Sequence, residues 1–354
     1  MRKQRNGLIG IFASLFMLII ILDAKTAISG MVTGIELCMK TIVPSLFPFI
    51  FLSGIINGSL LGQQISVLDP LCKLCNIPKG GESIMLLGFL SGYPVGAQTI
   101  AQAYREGSLS YNTARRMLGF CNNAGPSFIF GMLSVLFSKK YAVWMLWLIH
   151  ILSSLLVGCI LPQAKNAYCN GMQGKTKTIH SALHSAIKSI SYICGWVVLF
   201  RVVISFCDKW FMWLLPVELQ ALISGVLELS NGCIMLSKIP SEGVRFVFAS
   251  GLIAFGGLCV GMQTVSATKS LGFGYYFPGK VLQTLFSVQF SAILVHLLFD
   301  DFTLNPAMFG ILLLSAAIVL LSIGMKRKKL WHFQEKCSTI WKMKQRKGQE
   351  NAVS

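Results

Sequence analysis

Charged residues make up only 12% of this 354-residue chain, and acids are scarcest, with 13 Asp and Glu against 31 Lys and Arg. Beside 54% hydrophobic residues and a mean hydropathy of +0.66, so little charge excludes an ordinary soluble domain. Enzyme signatures are missing as well. No HExxH occurs, and the GFGYY run at 272–276 lacks the Asp of an intramembrane aspartyl protease. His150, His180, His184, His296 and His332 have no carboxylates at a converging spacing, so the chain is read as not an enzyme. The eleven cysteines form no disulfide framework. Most, such as Cys121, Cys159, Cys194, Cys233 and Cys259, lie inside apolar runs where a free thiol packs as a small hydrophobe. Cys72 and Cys75 form one CxxC with no second pair and no nearby His, so neither a metal nor a redox site is expected.

Long uncharged apolar runs are present from end to end, which predicts an all-α polytopic membrane protein. The net charge of +18 is concentrated at Arg2, Lys3 and Arg5 and in a cluster from Lys326 to Lys347. Such clusters set orientation and touch anionic headgroups, so the lipid bilayer is the expected partner and nucleic acid is not. Eight crossings account for the runs: 7–22, 41–58, 117–137, 142–161, 186–206, 244–268, 281–299 and 305–325. The first follows a basic start like that of a signal peptide, but DAKTA after it is a poor cleavage site, so retention is expected. Residues 26–40 read as an interfacial amphipathic segment, with Pro44 and Pro48 kinking the crossing that follows.

Two further segments, 82–104 and 216–240, read as re-entrant helical hairpins, each leading into an interrupted crossing. Gly, Pro and Asn at membrane depth free backbone groups that lipid cannot satisfy, so these segments should line a protein cavity. A corresponding pair in two halves of a chain marks the binding site of a transporter with inverted repeats. The domains are then 1–40, a first repeat 41–161, a cytoplasmic loop 162–185, a second repeat 186–299, a last helix 300–325 and a basic tail 326–354. With both termini cytoplasmic, Lys73, Lys79, Arg105, Arg115, Arg116 and the tail fall inside, while Asp23, Asp208, Glu218, Glu242, Asp300 and Asp301 fall outside. Spacing suggests equivalence of Gly88 to Gly125 with Gly225 to Gly261; ordinary glycine-mediated helix packing is the alternative.

The candidate binding residues follow from this geometry. Tyr93, Gly96, Gln98 and Thr99 lie at the first hairpin tip, and Asn122, Asn123 and Ser127 lie at the first break. Pro126 deprives the carbonyl of Asn122 of a helical partner, and free carbonyls with amide oxygens suit Na⁺ or a solute hydroxyl. The two Asn could instead tie helices together. Glu228, Ser230 and Asn231 mark the second hairpin, and Gly256 and Gly257 break the sixth crossing, with Gln263 and Thr264 further along. An intramembrane acid is a functional candidate by default, unless Glu228 sits at the outer surface. Arg201 could hold a carboxylate bidentately or snorkel to the outer interface.

SGYPVGAQT at 91–99 followed by FCNNAGPSFIFG at 120–131, with PSLFPF at 44–49 ahead of them, resembles the bacterial nucleoside-recognition (Gate) domain family, and within it a sporulation branch. The resemblance spans about residues 41–298 and implies a fold like that of concentrative nucleoside transporters. For the sporulation branch it implies movement of dipicolinate, a small aromatic dicarboxylate, across the outer forespore membrane; nucleoside or nucleobase transport is the alternative, and a non-transporting membrane scaffold another. Unlike the nucleoside transporters, this chain has no acid after Gln98 and Thr99 and has apolar residues around Gly256. Those differences suit an anionic aromatic solute. No cofactor is expected beyond a coupling Na⁺ or H⁺, and a homo-oligomer is left open.

Overall fold

A computed structural model describes residues 2–60, 63–164, 169, 178–268 and 271–299. These residues form helices α1 (Arg2–Leu22), α2 (Ala24–Leu37), α3 (Val43–Leu60), α4 (Asp69–Leu74), α5 (Glu82–Leu90), α6 (Val95–Arg105), α7 (Tyr111–Met117) and α8 (Pro126–Met132). The chain continues through α9 (Tyr141–Ile160), α10 (Ile179–Trp210), α11 (Val217–Leu227), α12 (Leu229–Leu236), α13 (Glu242–Phe255), α14 (Gly257–Thr268) and α15 (Tyr276–Leu298). Polar side chains start several of them: Asp23, Ser110, Thr178 and Ser241 each accept a backbone N–H of the first turn of α2, α7, α10 and α13.

Five stretches are long and apolar enough to cross a bilayer: Ala24–Ile56, Tyr141–Ile160, Ile179–Trp210, Glu242–Thr268 and Tyr276–Leu298. Large apolar side chains face outward on them, among them Leu152 and Leu297, the second 79% exposed. A soluble protein does not present such faces to water. The chain is an integral membrane protein.

Several sequence expectations are revised. The interfacial segment 26–40 and the crossing 41–58 are one continuous helical run, α2 to α3, joined by a π-helical turn at Cys38–Ile42. Pro44 and Pro48 withhold N–H donors from the carbonyls of Lys40 and Pro44, and the widened turn lies where the first of those bonds is lost. The crossing expected at 117–137 is not one helix: residues 118–125 are non-helical and α8 has only 7 residues. Arg116, assigned to an inner loop, is buried and donates to the carbonyls of Pro162 at 2.9 Å, Asn76 at 3.4 Å and Gly158. The fifth crossing starts earlier than 186, since α10 begins at Ile179. The last helix, 300–325, and the basic tail lie outside the described residues.

The two hairpin segments are pairs of short helices, α5 with α6 and α11 with α12, of 9, 11, 11 and 8 residues. At ~1.5 Å per residue, none reaches much beyond half of a ~30 Å hydrocarbon core. Each pair folds back on itself through glycine. A Cβ on Gly96 would lie 3.2 Å from Gly88 Cα, and one on Gly232 would lie 2.2 Å from Gly225 Cα. Each closed pair then rests on a break: a Cβ on Gly88 would meet the Cys121 carbonyl oxygen at 1.9 Å, and one on Gly257 would meet the Gly225 carbonyl oxygen at 2.9 Å. The corresponding contacts are therefore Gly88–Gly96 on Cys121 and Gly225–Gly232 on Gly257. Gly261 instead packs on Phe277, and Gly125 on Gly92 of the first turn.

The long helices have a common pair of ends. At one, Arg245 Nη1 donates to the Leu136 carbonyl at 2.6 Å, Ser138 bonds Glu242, and Lys139 Nζ reaches the Leu298 carbonyl at 3.0 Å. At the other, Tyr275 N–H donates to the Arg115 carbonyl at 3.2 Å and Arg116 to Pro162. Overfilling the glycine contacts should cost about 1–3 kcal/mol each. Gly232→Ala is expected to lower the melting temperature of the detergent-purified protein by several degrees, whereas Gly195→Ala, which has open space around its Cβ position, should leave it unchanged or slightly raised.

Candidate functional site

The first turn, Ser91–Pro94, carries Tyr93 to the second break. The Tyr93 ring lies 3.8 Å from a Cβ placed on Gly256, where two successive glycines, Gly256 (φ 82°) and Gly257 (φ 79°), take left-handed backbone that other residues rarely adopt. Tyr276 of α15 approaches the same point, its hydroxyl 3.6 Å from that position. The Tyr93 hydroxyl is buried with no hydrogen-bond partner, and the Tyr276 hydroxyl lies near Thr264 without ordinary hydrogen-bond geometry. Buried hydroxyls are nearly always satisfied, so two at a helix break are suited to bonding a polar solute or water.

Beside Tyr93 a narrow pocket of about 20 Å³ is lined by Tyr93, Phe128, Glu228, Ser230, Val260 and Gln263, with Ile42 and Leu46 of the α2–α3 run. That volume is on the order of one water molecule. Two larger clefts open away from it. A cleft of about 540 Å³ is lined by Gln98, Gln102, Arg105, Lys188, Tyr192 and Trp196, among others. One of about 580 Å³ is lined by Lys40, Thr41, Met132, Leu136, Cys233 and Ser237, among others. The first reaches Ser266 and Ala267 near the end of α14; the second reaches Leu136, which Arg245 at the start of α13 contacts. They thus lie toward opposite ends of the α13–α14 span. Gln263 and Ile193 line both the first cleft and the narrow pocket.

The structure brings most of the sequence candidates together, with altered roles. Gly96 is a packing contact, and Thr99 Oγ1 bonds its own helix at the Val95 carbonyl. Gln98 Nε2 donates to Ser189 Oγ of α10 at 3.2 Å at the mouth of the first cleft. Asn122 is a brace: its Oδ1 accepts the Ala97 N–H of α6 at 3.2 Å and its Nδ2 donates to Thr264 Oγ1 at 2.9 Å. Asn123 Nδ2 donates to the Phe120 carbonyl at 2.7 Å and to Ser154 Oγ at 3.0 Å. Its Oδ1 accepts from Lys280 Nζ and from Gln283 Nε2, both at 3.1 Å. Both lone pairs of the Asn123 amide oxygen are therefore engaged, and one of the two on Asn122. Ser127 is buried in the first turn of α8.

Glu228 is buried rather than at the outer surface, and its carboxylate caps α12, accepting Ser230 N–H at 3.1 Å, Asn231 N–H at 2.8 Å and Asn231 Nδ2 at 2.6 Å. Ser230 also lines the narrow pocket. Arg201 is not brought to this site. It forms an ion pair with Asp208 of its own helix at 3.2 Å, and its Cβ would be 3.2 Å from one placed on Gly34 of α2.

Sequence reasoning missed Lys280, Gln283, His150 and Ser154, all fully buried around Asn123. His150 Nε2 accepts the Ala124 N–H at 3.0 Å, and Lys280 Nζ donates to Gln283 Oε1 at 2.8 Å. Starting the seventh crossing at 281 put Lys280 at the water interface, whereas α15 begins at Tyr276. The signal available was Lys280 and Gln283 three positions apart, on one face of an apolar helix.

No family model matches this chain, and no solved structure does. Among curated proteins it is similar to the sporulation integral membrane protein YlbJ of Bacillus subtilis (strain 168), 25% identical over 309 residues, which covers 74% of this chain and 76% of that protein.

Because Asn122 and Asn123 are consumed by structural bonds, removing either should cost stability of about 1–3 kcal/mol per stranded group. Asn122→Ala is expected to lower the melting temperature in detergent by several degrees, so that a loss of function in that variant alone would not report on solute binding.

Proposed function

We propose that this chain is a secondary transporter or facilitator that works by alternating access, with its solute bound between Tyr93, Glu228–Ser230, Gln263 and the Gly256–Gly257 break. One observation carries the reading: a narrow pocket of about 20 Å³ built from the tips of both helical pairs adjoins the first cleft through Gln263 and Ile193, while the second cleft lies toward the other end of α13–α14. A constricted site flanked by wider clefts suits a carrier that opens to one face at a time. On this reading α5–α6 and α11–α12 are re-entrant hairpins of two inverted repeats, and both termini are cytoplasmic.

The chemistry of the first cleft supports an anionic solute carrying a ring. Arg105 and Lys188 supply positive charge, Tyr192 and Trp196 supply aromatic faces, and no acidic side chain is among its described lining residues. The likeness to a sporulation integral membrane protein adds context for a carrier of the outer forespore membrane, and dipicolinate is the aromatic dicarboxylate that fits both.

The experiment is uptake of labelled dipicolinate and labelled uridine into proteoliposomes, side by side. Saturable dipicolinate uptake that uridine does not inhibit is expected. Saturable uridine uptake insensitive to dipicolinate would establish the nucleoside reading, and movement of neither would leave a scaffold. Gln263→Leu, at the boundary between cleft and centre, should lower uptake at least about tenfold, the equivalent of ~1.4 kcal/mol, with little change in melting temperature.

A further inference from the structure

Lys280 has no use in the solute site described above, yet it is the most costly group in the bundle. Its side chain is 0% exposed, and its Nζ contacts only neutral oxygens, Asn123 Oδ1 at 3.1 Å and Gln283 Oε1 at 2.8 Å, with the Tyr276 ring centre 6.0 Å away. The titratable groups facing it are Cys121 of the non-helical stretch, His150 of α9 and Tyr276 of α15 itself. No carboxylate touches it among the described residues. An ammonium held without a counter-charge costs several kcal/mol, and ionisable groups at membrane depth characteristically mark ion or proton pathways.

We propose that Lys280 is a proton-binding coupling site, its amine filling the oxygen cluster where a coupling cation would sit, so that one proton gained or lost at Nζ accompanies each movement of solute. The inference rests on the transporter reading and names the coupling ion of that same carrier. Three features support it. Amide oxygens accept from an ammonium and, more weakly, from a neutral amine, so the cluster can hold its bonds in both states. Asn123 Oδ1 already has two donors, which leaves no lone pair for Na⁺. Finally, Lys280 belongs to α15 in the second half, whereas Asn123 belongs to the break of the first. Parting the halves toward one face brings Nζ to water, where it takes a proton from hydronium; parting them toward the other face lets the ammonium give that proton back to water and return to the oxygen cluster as the neutral amine.

The test uses the full-length purified protein and has two arms. Melting temperature is followed against pH for the wild type, Lys280→Met and Asn123→Asp. The wild type should show a stability step that Lys280→Met lacks. In Asn123→Asp, which offers the amine a carboxylate at unchanged shape, the step should move to higher pH by about one unit or more. In proteoliposomes, an imposed pH gradient should raise wild-type dipicolinate uptake at least about fivefold, a Na⁺ gradient should not, and Lys280→Met should abolish the response to pH. A step that persists in Lys280→Met, or that fails to move in Asn123→Asp, overturns the proton site whatever the transport result. Uptake that follows Na⁺ overturns the coupling. A Lys280-dependent step in a protein that moves neither dipicolinate nor uridine upholds the proton site and overturns the transporter reading instead.

Discussion

Backbone freed from helix at membrane depth has to be covered by protein, because lipid offers it no hydrogen bonds. Both halves of this chain meet that constraint with glycine. Gly88 and Gly96 close one helical pair onto the Cys121 carbonyl, and Gly225 and Gly232 close the other beside Gly257, at separations that leave no room for a Cβ. The remaining architecture follows from these contacts. Only because α6 lies against the first break can Asn122 take the Ala97 N–H, and only because the first turn is packed on Gly125 does Tyr93 reach Gly256.

The two breaks are stabilised by different chemistry. The first, 118–125, is long and is held by side-chain amides: Asn122 and Asn123 bond six groups drawn from α6, α9, α14, α15 and the stretch itself. The second is short and depends on left-handed glycine conformation, with Glu228 nearby neutralising the amino-terminal N–H groups of α12. Residue types that suggested ligands are thus mostly spent on the scaffold. What faces the centre is phenolic, amide and hydroxyl: Tyr93, Gln263 and Ser230.

How much the sequence disclosed can be argued from the same residues. Pro94 with its glycines, Pro126 after Asn-Asn-x-Gly, and the Gly256–Gly257 pair each announce a local break by a rule that needs no tertiary knowledge, and all three lie at interruptions of helix. Element boundaries failed where packing overrides pattern. Residues 118–125 are apolar enough to read as a crossing, yet the Phe120 carbonyl and the Ala124 N–H are bonded by Ser154 and His150 of α9, and no periodicity reports such bonds. Arg116 is placed in an inner loop and Lys280 falls one residue outside the crossing expected from 281; their burial depends on acceptors 157 positions away for Lys280, at Asn123, and 42 positions away for Arg116, at Gly158. Arg201 erred in the opposite sense, since its counter-charge lies only 7 positions along its own helix.

A centre of about 20 Å³ holds a water but not a ring, so any solute that occupies it requires the halves to separate. Within each half, helical pair and break are in backbone contact and should move as one body, since well-packed interiors resist continuous deformation. Polar contacts between the two halves cluster at the centre, where Asn122 meets Thr264, Asn123 meets Lys280 and Gln283, Gln283 meets His150 and Gln98 meets Ser189, and at the two ends, where Ser138 meets Glu242, Leu136 meets Arg245, Lys139 meets Leu298 and Arg115 meets Tyr275. The rest of the central seam is apolar or aromatic, formed by Ile42, Leu46, Phe128, Val197 and Val260. Apolar surfaces slide at little cost, whereas each polar contact must exchange for water or solute. On the transporter reading, opening the cleft that holds Gln98 exchanges the central bonds while those at one end act as the hinge, and Lys280 stands among the central ones, bonded to Asn123 across the seam and to Gln283 on its own helix.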